Sequence, residues 1–163
     1  MGRRAALSPG PQATVKTYRR AADALAEIAW YQRVPWAAPR LLDADPATGR
    51  LVLQTLPVAL DRPAWRPAAA LAELLTALHR ENIHHRDVHL RNLLIGPGGA
   101  PLLIDWETAI DQRARYSYDL YGPEVSGVPV PAIHTGLTPQ WWASAAPMSI
   151  RRRWGIDVPT CAA

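Results

Sequence analysis

The sequence contains no phenylalanine, one cysteine and one lysine. With Cys161 alone no disulfide can form within the chain, which excludes the stapled design of small secreted domains and fits a reducing, cytoplasmic setting. No apolar run approaches the width of a bilayer, and the N-terminal residues lack a signal-peptide core, so no membrane partner is expected. Basic residues form no dense stripe interleaved with aromatics. Arg3-Arg4 and Arg151-Arg152-Arg153 are short and terminal, and read as solvated surface charge instead of a nucleic-acid footprint. The net charge of +4 is mild and suits small anionic ligands. Without Phe, aromatic bulk in the core must come from Trp and Tyr. At 163 residues and 48% hydrophobic, the chain has enough apolar material for one domain.

The scarcity of lysine draws attention to Lys16. It lies in Thr14-Val15-Lys16-Thr17-Tyr18, a β-branched, alternating run that predicts a short strand. Every other basic position is Arg, and an ammonium that reaches phosphate oxygens as a compact point charge is a reason to keep one Lys. The plainer alternative is an exposed strand residue. Residues 1–12 carry Gly2, Pro9, Gly10 and Pro11 and read as a loose leader. Arg20 to Arg33 reads as a helix, with Ala21, Ala22, Leu25, Ile28, Ala29 and Trp30 near an apolar stripe and Glu27 inside it. Arg40–Ala44 and Arg50–Gln54 flank Asp45-Pro46-Ala47-Thr48-Gly49, which predicts a hairpin. Pro67 to Asn82 is the strongest helix, with Leu71, Leu74, Leu75 and Leu78 at three- and four-residue spacing.

The most informative stretch is His84 to Glu107. Leu93-Leu94-Ile95 and Leu102-Leu103-Ile104 are apolar runs joined by Gly96-Pro97-Gly98-Gly99, a β-hairpin pattern. The hairpin would place Asn92 where one strand begins and Asp105 where the other ends, with Asp87 on the preceding loop. Two oxygen ligands and a carboxylate so placed suit Mg²⁺ binding and proton abstraction from a hydroxyl. His79, His84, His85 and His89 invite a zinc reading, but no cysteine lies nearby to join them.

His85-Arg86-Asp87 followed by Asn92 resembles the H-R-D-x-x-x-x-N catalytic loop of the protein-kinase-like superfamily, and Asp105-Trp106-Glu107 stands where D-F-G normally does. The D-W-E form is similar to aminoglycoside and choline phosphotransferases, whereas H-R-D is similar to protein kinases. His89 replaces the Lys usual two residues after the Asp, so the acceptor stays open between a protein hydroxyl and a small molecule. The resemblance implies an α+β, minimal kinase-like fold: a reduced antiparallel β small lobe followed by a mostly helical large lobe with a catalytic β-hairpin. One domain would span 1–163, with 13–56 a reduced N-lobe and hinge and 57–163 a truncated C-lobe.

The resemblance also implies ATP and Mg²⁺, with the γ-phosphoryl group moving to a hydroxyl acceptor. Asp87 would be the catalytic base, acting with Asn92 and Lys16. Lys16, Glu27 and the hinge residues Gln54 and Leu56 would bind the nucleotide. Asn92 and Asp105 would hold the metal, with Glu107 as a further carboxylate beside it. Asp119-Leu120-Tyr121-Gly122 resembles the helix whose Asp braces the catalytic loop, and Pro123-Glu124 as an A-P-E remnant is the rival alignment. Arg86 could bind a phosphorylated Thr108, Tyr116 or Ser117. Residues 123–139 are expected to be irregular, and 140–154 to form a closing helix.

Two departures stand out. No G-x-G-x-x-G precedes Lys16, and the first two small-lobe strands are expected to be absent. A homodimer or partner chain could complete the phosphate flap. A catalytically inert, kinase-like nucleotide-binding or interaction module is the alternative reading.

Overall fold

β-branched and aromatic side chains at Thr14, Val15, Thr17 and Tyr18 favour an extended backbone, and a strand, β2, runs over Ala13–Tyr18. The computed structural model describes residues 5–62, 64–113 and 119. Within it β2 pairs antiparallel with β1, Ala5–Pro9, on one side and with β4, Arg50–Gln54, on the other. Strand β3, Leu41–Asp45, completes a four-stranded sheet of order β1-β2-β4-β3.

Strand β1 corrects the expectation of a loose leader. Its register runs from Ala5 opposite Tyr18 to Pro9 opposite Thr14, so the sheet begins at Ala5 and not near residue 13. One of the two strands expected to be missing is therefore present. Pro9 is tolerated because β1 is an edge strand of the sheet. The turn after β1 is fastened to the connection that follows β4: Thr55 donates its hydroxyl to the Gly10 carbonyl (2.9 Å) and its amide to the Gln12 carbonyl (3.1 Å).

Helix α1, Ala21–Arg33, crosses from β2 to β3. Its buried residues are Ala24, Glu27, Ile28 and Tyr31, an i, i+3, i+4, i+7 series. Leu25, expected in the apolar stripe, points outward at 53% exposure. The helix face is rotated because Glu27 belongs to the inner row. The β3–β4 turn needs Gly49, whose φ is +70° and whose Cβ position would lie 2.7 Å from the Tyr18 carbonyl oxygen. Asp45 closes that turn by accepting from the Thr48 hydroxyl at 2.8 Å.

After residues 55–57 the chain enters helix α2, Ala68–Arg80, preceded by Pro67. Leu71, Leu75 and Leu78 are fully buried, each worth roughly 1.5–3 kcal/mol relative to exposure. Strand β5, Ile83–His84, pairs with β8, Ile110–Asp111; the hairpin of β6, Leu93–Ile95, and β7, Pro101–Leu103, forms as expected. Trp106 fills the centre, completely buried and stacked on Trp30 of α1 at 6.1 Å. It joins the sheet-side helix to the hairpin side in one core. The expected irregular stretch 123–139, the closing helix 140–154, Tyr116 and Ser117 lie outside the described residues.

Candidate active site

Strand β2 points Lys16 inward, and the inner row of α1 presents Glu27 to it. The Lys16 ammonium lies 3.0 Å from Oε1 and 2.9 Å from Oε2 of Glu27, and 2.7 Å from Oδ1 of Asp105. Burial alone would lower the Lys16 pKa, but the charges of Glu27 and Asp105 outweigh it and raise it. Glu27 is itself fully buried and fully employed. It also accepts from the hydroxyls of Tyr18 and Tyr31 and from the Trp106 amide at 3.1 Å. Burial and then the Glu27 charge hold both phenols far above their usual range, so they remain donors.

The opposite wall is the loop from His84 to Asn92. Arg86 adopts a left-handed conformation (φ 69°), as does Asp105 (φ 68°), a backbone state that non-glycine residues hold only under local constraint. At Arg86 the constraint is Asp119, whose two carboxylate oxygens accept the amides of His85 (2.7 Å) and Arg86 (2.6 Å). This is the bracing role expected for Asp119. Burial pushes its carboxyl up to about 6.

His85 ties this loop to the hairpin. Its Nε2–H donates to the Ile104 carbonyl (2.9 Å), its Nδ1 accepts the Asp87 amide (3.3 Å), and its ring meets Trp106 edge-on at 4.6 Å. Burial lowers its pKa to about 4, which keeps the imidazole neutral in that tautomer. Asp87 is held on both oxygens. The Asn92 amide donates to Oδ2 at 2.9 Å, and His89 Nε2 lies 3.4 Å from Oδ1. Burial, aided by the nearby Asp105 charge, raises the Asp87 pKa against the pull of His89 and Asn92. Asn92 also donates to the Asp87 carbonyl, and its own carbonyl accepts the Ile104 amide at 3.0 Å.

Between these walls lies a cleft of about 520 Å³. Ala5, Leu7 and Pro9 of β1 and Leu53 of β4 line it from the sheet, and Leu94 and Ile104 from the hairpin. Two apolar surfaces facing each other make a slot for a flat ring. Gln54, Thr55 and Leu56 lie at one end; Lys16, Asn92, Asp105 and Glu107 supply its polar groups. The Asn92 side-chain oxygen and Asp105 Oδ2 have no protein partner among the described residues. Two free oxygen ligands of this hardness fit a Mg²⁺ ion. No group of three or more histidine, cysteine or carboxylate side chains suited to a metal occurs among the described residues.

The structure thus brings together Lys16, Glu27 and Asp105, and separately Asp87 and Asn92, with Gln54 and Leu56 on the same cleft. Tyr18, Tyr31, His89 and Arg91 were not among the expected site residues. The last three line the cleft, and Tyr18 holds Glu27 from behind. The Thr108 hydroxyl donates to the His85 carbonyl at 2.9 Å. No helix among the described residues is long and apolar enough to cross a membrane.

No curated protein matches the chain. Among solved structures, the crystal structure of monomeric WbdD is similar at 20% identity with a TM-score of 0.50, covering 66% of this chain. The matched region spans only 33% of that chain, and the likeness concerns the kinase-like α+β fold. Residues 2–111, from β1 through the Asp105 segment to β8, match the family model for phosphotransferase enzymes, and the chain belongs to that family.

Proposed function

We propose that the protein transfers the γ-phosphoryl group of ATP, with Mg²⁺, to a hydroxyl acceptor. One observation carries this reading above the others: Lys16, paired with Glu27 and Asp105, lines the same cleft as Asn92, whose side-chain amide holds the Asp87 carboxylate at 2.9 Å. That is the set phosphoryl transfer requires, since the reaction depends chiefly on positioning and charge neutralisation. The sheet at residues 5–56 would serve as the small lobe and hinge, and residues from 57 onward as the large lobe. The lone cysteine suits a cytoplasmic enzyme.

The adenine ring would enter the slot between Leu7 and Leu94, with its edge toward the backbone of residues 54–56. Lys16 would steady the phosphates, held at the correct depth by Glu27. Asn92 and Asp105 would hold Mg²⁺, which supplies charge neutralisation at the phosphates when bound. Asp87, oriented by Asn92 and His89, takes the proton of the acceptor hydroxyl. As the acceptor oxygen bonds to the γ-phosphorus, the bridging P–O bond breaks and ADP leaves with that electron pair. His85 contributes by fixing the Asp87 amide to the Ile104 carbonyl, so base and metal-side carboxylate keep one spacing. The turn after β1 is bonded to Thr55 and so lies at the ring end, away from Lys16. It does not act as a phosphate flap.

The test is Mg²⁺-dependent ADP release on adding hydroxyl compounds, in the wild type and in Asp87→Asn. Acceptor-stimulated release that disappears in the variant supports the reading; equal release in both contradicts it.

A further inference from the structure

Lys16 and Arg91 are the two Lys or Arg residues lining the cleft among the described residues. Lys16 is matched against Glu27 and Asp105. Arg91 is exposed and has no carboxylate within ion-pair distance among the described residues. Its position is set by backbone, not by charge. The Arg91 amide donates to Nδ1 of His89 at 3.2 Å, and the Asn92 amide to the His89 carbonyl at 2.9 Å. The turn 89–92 thereby lays three side chains along one wall. His89 and Asn92 flank the Asp87 carboxylate, and Arg91 stands between them in sequence without an anion of its own.

A planar guanidinium with five donors binds phosphate or carboxylate strongly and repels ammonium groups. Placed on the loop that carries the proton-accepting Asp87, it meets the molecule that brings the hydroxyl. We propose that the acceptor carries an anionic group, phosphate or carboxylate, which Arg91 binds while the hydroxyl faces Asp87. This rests on the phosphotransferase reading and deepens it: cationic acceptors such as amino sugars and quaternary amines are disfavoured. His89 contributes by holding the turn, through Nδ1, in the shape that presents the guanidinium.

The experiment uses the full chain saturated with Mg²⁺ and a non-hydrolysable ATP analogue. Glycerol 3-phosphate, glycerate, glycerol and choline are titrated in turn by calorimetry into the wild type, Arg91→Ala and Arg91→Glu. The expected result is binding of at least one of the two anions in preference to glycerol and choline. A preference for glycerol 3-phosphate or for glycerate separates phosphate from carboxylate recognition. That binding weakens by roughly ten- to hundredfold in Arg91→Ala, the span of one or two charge-assisted hydrogen bonds, a larger loss than that of the nucleotide analogue. In Arg91→Glu the anion is lost and choline is favoured over it. Nucleotide binding without a preference for either anion, or an anion affinity equal in wild type and Arg91→Ala, overturns the proposal alone. A loss of nucleotide affinity in Arg91→Ala as large as the loss of anion affinity also overturns it, because Arg91 would then serve the donor. No nucleotide binding in the wild type overturns the phosphotransferase reading and this one with it.

Discussion

The two polar walls of the cleft are built on opposite principles. On the Lys16 side the buried charges are paired inside the protein: Glu27 receives Lys16, Tyr18, Tyr31 and the Trp106 amide, and Asp105 shares the ammonium through Oδ1 and leaves Oδ2 open. On the Asp87 side the carboxylate has two light restraints, Asn92 and His89, and Arg91 has no ionic partner among the described residues. A buried carboxylate must be compensated or it unfolds its surroundings, so the first wall is set during folding. The second wall is left able to respond to a ligand. In the proposed reaction the donor would meet the rigid wall and the acceptor the open one.

The sharpest way to break the contrast is Glu27→Ala. It leaves two tyrosine hydroxyls and the Trp106 amide without their acceptor in a dry site. The expected cost is about 3–5 kcal/mol, read as a large fall in Tm with loss of transfer. An unchanged Tm would show that the first wall is not a structural hub. On the open wall, Asp87→Asn should lower the transfer rate by roughly 10²–10⁴ while Mg²⁺-ATP affinity and Tm remain near wild type. A large loss of Tm there would erase the distinction between the walls. In the wild type the transfer rate should fall with pH through a value above the ordinary aspartate pKa of 3.8, because burial raises Asp87. An acid limb at or below 3.8 would contradict that.

Beneath both walls, His85 and Asp119 oppose each other in acid. His85 drops from 6.5 to about 4 on folding, so its contribution is present above 6.5 and lost as pH falls toward 4. Asp119 rises from 3.8 to about 6, so its contribution is present below 3.8 and lost as pH rises toward 6. Asp119→Asn removes the second effect. Its stability should then climb more steeply than wild type between pH 4 and 6, by up to about 3 kcal/mol, in urea titrations. Parallel pH profiles for the two proteins would contradict the opposition. The smallest effect belongs to Tyr18→Phe, which removes one of the hydroxyls on Glu27 and should cost about 1–2 kcal/mol. A stabilised Tyr18→Phe protein would mean that Glu27 is satisfied without it.

Much of the site was legible because motif spacing and local structure agree. Asp87, Asn92 and Asp105 are fixed by a loop and a hairpin whose Gly-Pro-Gly-Gly turn is unambiguous. Lys16 was marked by being the lone lysine, on a strand that its neighbours dictate. Glu27 was visible in α1, and the spacing of Ala24, Ile28 and Tyr31 could have shown that it points inward. Strand β1 was hidden because Pro9, Gly10 and Pro11 mask the weak alternation of Ala5, Leu7 and Pro9, which line the cleft. Tyr18 and Tyr31 could not be read, since their meeting at Glu27 depends on how helix and sheet pack. Nor could Arg91: the absence of an ionic partner is a property of the folded neighbourhood and not of the letters around it.

The central claim is a nucleotide site formed by the rigid wall, and calorimetry of ATP with and without Mg²⁺ tests it most directly, on the wild type and on Asp105→Asn. Binding that requires Mg²⁺ and is lost in Asp105→Asn, with the variant still folded, is the expected result. Absence of ATP binding by the folded wild type, or Mg²⁺-dependent binding that survives in the variant, would contradict it.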